Sequence, residues 1–211
     1  MYEIMMTINN SMAGVCGLLW ITVVQREGRL MMNNVIHIFG GSGSGTTTLG
    51  RAMKDAYGFE HLDVDDYYWL PTKLPFTEKR GVRERQDLLR GDIEAAGNCV
   101  ISGSLCGWGD IFIPCFSLAV YMVIPADLRM ERLLKRERER FGDRISEHGD
   151  MYENHMEFVE WARSYDMAGS DIRSAVLHEE WQKQILCPVI RMDGALSMQE
   201  QLMKIRGYLK L

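Results

Sequence analysis

The chain has 211 residues, enough for one α/β domain with a lid or insertion around a sizeable core. Its formal net charge of −5 argues against a nucleic-acid-binding surface. Its five cysteines, Cys16, Cys99, Cys106, Cys115 and Cys187, include no Cys-x-x-Cys pair, so neither a zinc site nor a disulfide framework is indicated, and reduced thiols fit a cytoplasmic protein.

Residues 12–24 form an apolar run shorter than the about 20 residues that a bilayer span needs. The leader before it holds Glu3 but no Lys or Arg, so neither a signal peptide nor a membrane partner is expected. Met31 and Met32 stand directly before the first core strand, and Arg26-Glu27-Gly28 is encodable by a purine-rich stretch resembling a ribosome-binding site. The expectation is that translation starts at Met31 or Met32, leaving residues 1–32 as an extension to a domain spanning 33–211. The alternative is an added strand or hairpin packed on that domain.

The apolar strand 35–39 leads into Gly40-Gly41-Ser42-Gly43-Ser44-Gly45-Thr46-Thr47-Thr48, which fits Gly-x-x-x-x-Gly-Lys-Ser/Thr except that Thr46 stands where the lysine belongs. Glycines at 40, 41, 43 and 45 let backbone N–H groups close around phosphate oxygens, and the following helix adds the positive end of its dipole. Residues 40–48 are therefore candidate nucleotide-binding residues, with the Thr47 hydroxyl a candidate Mg²⁺ ligand. The plain alternative is a glycine-rich turn without a ligand.

A helix is expected over 46–57, stopped by Gly58, and a short strand over 59–63. Pro71 and Pro75 make 70–81 a loop. A polar helix follows over 82–96, then strands over 99–102 and 118–124, long helices over 126–141 and 151–168, a strand over 188–192 and a closing helix over 197–209. Ser197 is the expected cap of that last helix, with Glu200 three residues on. Strands alternating with helices imply right-handed crossovers and a parallel sheet, and ligands of such sheets bind beyond the carboxyl ends of the strands.

That rule brings Asp63, Asp65 and Asp66 to the phosphates. Asp65 is the candidate to orient an acceptor hydroxyl, receive its proton and help hold the metal. Continued strand geometry would turn Asp63 and Asp65 to one face and Asp66 to the other; alternatively, one or more of them cap the segment that follows. Trp69, with Tyr67 and Tyr68, is a candidate to stack on an acceptor or a piece of the core. Gly103, in a small-residue segment after the third strand, would let an acceptor approach the backbone, or simply make a tight loop. Arg85, among Lys79, Arg80 and Arg83, could hold an acceptor anion or be surface charge. Arg129, Arg132, Arg136 and Arg140 share one side of a helix; Arg132 and Arg136 are the candidates to stabilise transferring charge, the others being expected in surface pairs such as Glu131 with Lys135.

In this order, residues 33–211 resemble the adenylate-kinase-like branch of P-loop kinases. They resemble most a bacterial group carrying Gly-Ser-Gly-Thr-Thr-Thr (43–48 here), Asp-Asp-Tyr-Tyr-Trp (65–69) and Ser-Gly-Ser-Leu-Cys-Gly-Trp (102–108). The resemblance implies a three-layer nucleoside-monophosphate-kinase-like α/β fold with a five-stranded parallel sheet, an acceptor region near 67–90 and a helical lid near 138–155. It also implies phosphate-bracketing roles for Arg132 and Arg136 and a hydroxyl-activating role for Asp65. The function expected is transfer of the ATP γ-phosphoryl group, with Mg²⁺, to a nucleotide, nucleoside or similar small acceptor by a monomer or homodimer. The alternative, motivated by Thr46, is a nucleotide-dependent switch or weak ATPase. The expected start site predicts that mass spectrometry of the native protein finds no peptides from residues 1–25.

Overall fold

A computed structural model describes the backbone of residues 23–26, 29–32 and 34–209, with side chains over 34–209. Strands β1 (Val23–Arg26) and β2 (Arg29–Met32) form an antiparallel two-stranded ribbon. The rest of the apolar run 12–24 lies outside the described residues.

The core is built on β3 (Val35–Gly40), whose six residues are all buried. Successive side chains of a strand point to opposite faces, so Ile36 and Ile38 join one apolar cluster while Val35 and Phe39 join another. A strand buried on both faces must be covered by helices on both, as parallel sheets require. Four further strands complete the sheet: β4 (Glu60–Asp63), β5 (Cys99–Ser102), β6 (Leu118–Val123) and β7 (Val189–Asp193). Their order is β4-β5-β3-β6-β7, and every pairing is parallel. This is the five-stranded parallel α/β sheet expected from the alternation of elements.

Helix α1 (Thr46–Tyr57) buries Leu49 and Met53 on the Ile36 face, where Ile205 of α7 (Met198–Arg206) also packs. On the opposite face lie Leu89 of α3 (Val82–Ala96) and the aromatic group formed by Phe39, Phe116, Tyr121 and Trp181. Gly58 ends α1 in the left-handed conformation at φ 71°, and Ser197 with Glu200 forms the complete reciprocal cap on α7. Among the described residues no helix is long and apolar enough to cross a membrane.

Two local expectations are corrected. Strand geometry does not continue past Asp63: its carboxylate accepts the Asp65 N–H at 3.2 Å and caps α2 (Val64–Tyr68), so Asp65 and Asp66 lie side by side in one helical turn. The expected helix 151–168 is α5 (Tyr152–Ser164), and it is followed by α6 (Ala175–Gln182), which the apolar pattern did not reveal. Ser174 caps α6 by accepting the Leu177 N–H at 3.0 Å. Between β6 and α5 runs α4 (Ala126–Phe141), with the boundaries expected.

Register brings the site segments to one edge. Ile38 pairs with Ser102, and Ser102 with Asp63. The chains leaving β3, β5 and β4 therefore emerge side by side, with Asp63 about 10 Å from Ile38 across two strand spacings.

Candidate active site

The loop after β3 turns on two glycines in the left-handed region, Gly43 at φ 88° and Gly45 at φ 98°. Space demands glycine too: a Cβ on Gly40 would meet the Met122 carbonyl at 2.7 Å, and one on Gly43 would collide with the Arg129 carbonyl. Within the loop Ser44 N–H donates to the Gly41 carbonyl at 3.0 Å. Thr46, Thr47 and Thr48 form the first turn of α1, whose amides have no intrahelical acceptor, and the Gly45 cap has no side chain to satisfy them. The result is a set of main-chain donors at a helix N-terminus, open to an anion. Thr46 and Thr47 are half-buried there, and Ser42 directly precedes the first glycine turn.

Asp65 is solvent-exposed at the start of α2, yet the protein surrounding it desolvates the carboxylate enough to raise its carboxyl above the usual carboxylate range. The neighbouring Asp63 charge raises it further, while Arg173, Arg136 and the Trp69 side chain pull it back toward ionisation. Asp63, Trp69 and Arg136 thus lie near enough to Asp65 to act on its charge. Arg173, in the α5–α6 connection, joins them without having been foreseen. It stacks over Trp161 at 5.3 Å and has no carboxylate partner among the described residues.

The other acceptor candidates are engaged by protein. Arg85 is buried, lies 3.8 Å over the Tyr68 ring and donates from Nε to the Arg80 carbonyl at 2.6 Å. Gly103, at φ 117°, packs on Val64 so closely that a Cβ would come within 2.7 Å, which holds the β5 loop against α2. Trp69 makes an edge contact with Phe76, over whose ring Arg140 lies at 4.6 Å, joining the end of α4 to the 70–81 loop.

The arginines of α4 do not act as one row. Arg129, one turn nearer β6 than Arg132, is the one that reaches the loop: it is 1% exposed and donates from Nη1 to the Ser42 carbonyl at 3.1 Å. Its Nη2 pairs with Asp166 at 2.7 Å. Arg132 donates to the Gly194 carbonyl at 2.9 Å, and the turn at Gly194 lies against the Ser44 carbonyl. Arg136 donates to the buried Glu137 at 3.0 Å while keeping half of its side chain exposed. Lys135 pairs with Glu139 at 3.9 Å rather than with the expected Glu131.

Behind the loop lies a buried polar chain. Tyr165, whose ring packs on Gly41, shares a 3.3 Å contact with the Tyr121 hydroxyl and a 2.8 Å contact with His178 Nδ1. His178 Nε2 meets the Ser104 hydroxyl at 2.9 Å. Burial, and then the Arg173 charge, push His178 down to about 3.

No family model matches the chain. The uncharacterized protein YqaC of Bacillus subtilis is 42% identical over 178 residues, which cover 84% of this chain and 98% of that protein. The chain belongs to the YqaC family. Cytidylate kinase of Pyrococcus horikoshii is 33% identical over 113 residues, 49% of this chain and 57% of that enzyme. Among solved structures, shikimate kinase from Bacteroides thetaiotaomicron superposes with a TM-score of 0.53 at 17% identity, over 84% of this chain and 99% of that one. This YqaC-family chain has the α/β fold of P-loop kinases.

Asp166 fell inside the helix expected over 151–168, which ends at Ser164, and Arg173 lies in the turn beyond it, so no motif marked either. Arg129, expected in a surface pair while Arg132 and Arg136 were the candidates, is instead the buried member of the row.

His37, pushed down to about 3 chiefly by its burial between Phe39 and Phe116, shares the behaviour of His178. Both are neutral in the folded protein and protonate on unfolding, so stability falls as pH drops from the ordinary histidine range toward 3. Each contributes a slope of about 1.4 kcal/mol per pH unit within that window. Urea unfolding of His178→Gln between pH 5.5 and 4.5 is expected to show a pH dependence shallower than wild type by about that amount; an unchanged slope would show that His178 titrates normally.

Proposed function

We propose that the chain is an ATP-dependent small-molecule kinase that transfers the γ-phosphoryl group to a nucleotide, a nucleoside or a similar small acceptor. The observation that carries this reading is the placement, at the carboxyl end of the parallel sheet, of a loop whose helix-terminal main-chain donors have no intrahelical acceptor, beside the β4–α2 segment that carries Asp65. Phosphoryl transfer needs little else from a protein than positioning and charge stabilisation. The cytidylate kinase likeness, over about half of each chain, supports a nucleotide or nucleoside as acceptor.

Amides of residues 41–48 hold the phosphates, and Asp65 accepts a hydrogen bond from the acceptor hydroxyl. The acceptor oxygen forms its bond to the γ-phosphorus, the bond to the β–γ bridging oxygen breaks, and the hydroxyl proton passes to Asp65. A raised carboxyl suits a proton acceptor, and Arg136 and Arg173 favour its ionised form while offering donors to the transferring oxygens. The Thr47 hydroxyl and the Asp65 carboxylate are hard oxygen donors of the kind Mg²⁺ takes, and they would hold the ion beside the phosphates. When bound, Mg²⁺ neutralises charge on the β- and γ-oxygens.

Labelled ATP with Mg²⁺ and a panel of nucleotide and nucleoside acceptors is expected to give acceptor-dependent label transfer; tight ATP binding without transfer would favour a nucleotide switch. Asp65→Asn is expected to lower kcat by about 10²–10⁴-fold while leaving ATP affinity in place. Unchanged turnover would remove Asp65 from this role. In the wild type, activity should be lost on the acid side as Asp65 protonates. Arg173→Ala, by deleting a cation that favours the ionised form, should move that limb to higher pH.

A further inference from the structure

The phosphate loop lacks its lysine, yet it carries a buried guanidinium on its outer side. Arg129 reaches from the first turn of α4 and donates to the Ser42 carbonyl, while its other end pairs with Asp166, two residues beyond α5. The guanidinium carbon lies 5.0 Å from the Tyr165 ring centre, and that ring packs on Gly41. The Arg129 carbonyl closes on Gly43. One side chain and its neighbour thus touch three successive residues of the loop.

The carbonyl of Ser42 and the N–H of Gly43 belong to one planar trans peptide and point in opposite directions. A donor that holds the carbonyl against α4 therefore turns the Gly43 N–H toward the concave side of the loop, where the α1 amides converge. We propose, on the reading of this loop as a phosphate site, that Arg129 and Asp166 are positioning residues. They set the peptide plane between Ser42 and Gly43 from behind and so preorganise an anion nest that has no lysine. The ion pair also makes the loop depend on the end of α5, because a guanidinium this deeply buried is held in place only with its carboxylate.

Asp166 is 36% exposed, so Asp166→Asn leaves an acceptor in place and removes the charge, and it is compared with the wild type below its own melting transition. Calorimetry with inorganic tripolyphosphate should show affinity lowered about tenfold, the scale of a lost charge-assisted hydrogen bond. ATP should follow, while adenosine, read by ligand-observed NMR, should bind as it does to the wild type. Arg129→Lys keeps the charge but not the two-pronged reach, and should show the same selective loss with the melting transition retained. Tripolyphosphate affinity equal to wild type in both variants overturns the proposal, and so does an equal loss for tripolyphosphate and adenosine, which marks a merely structural pair. Absence of tripolyphosphate and ATP binding in the wild type would instead remove the phosphate-site reading itself, and this inference with it.

Discussion

Main-chain amides hold an anion only when the backbone that carries them is fixed before the anion arrives, and in this chain that constraint shapes everything around the loop 40–45. Fully buried β3 delivers the loop at a fixed height, since both of its neighbours are hydrogen-bonded to it in parallel. Gly43 and Gly45 supply the left-handed turns, and the first turn of α1 supplies donors that no residue of the helix can satisfy. The wall opposite is equally specific: the Met122 carbonyl, the Tyr165 ring and Arg129 leave no room for a Cβ at positions 40, 41 or 43.

The electrostatic balance of the site follows from the threonine at 46. With no lysine in the loop, the guanidiniums around it are Arg129, against its outer face, and Arg136 and Arg173, which act on Asp65. These three guanidiniums differ in their surroundings. Arg129 is buried and donates from its two Nη atoms to Ser42 and Asp166, Arg136 shares its donors with Glu137 while half-exposed, and Arg173 rests on an aromatic face with no carboxylate opposite among the described residues. A buried, paired cation shapes geometry, whereas an exposed or unpaired one is available to a ligand.

Much of the architecture was legible because its boundaries are set by local chemistry. The limits of α1, α3 and α4 follow from Gly45, Gly58, Gly81, Gly97, Pro125 and Gly142, residues whose backbone preferences act within one turn of the chain. Local signals also left alternatives open: continued strand geometry and a cap were both compatible with Asp63, and the cap holds, ending the strand and starting α2. Helix α6 has only a weak apolar stripe, and its Ser174 cap was the one available sign of it.

The amino-acid order by itself determined the glycine loop, its missing lysine, the alternation that makes a parallel sheet and the aspartates after β4, because each depends on neighbours a few residues apart. Tertiary structure alone decided which arginine touches the loop, which carboxylate holds it and which charges face Asp65. Arg129 and Asp166 are 37 residues apart in sequence yet 2.7 Å apart in space. Helix periodicity cannot distinguish Arg129 from Arg132 or Arg136; only the packing of α4 on α5 and on the glycine loop assigns each guanidinium its partner.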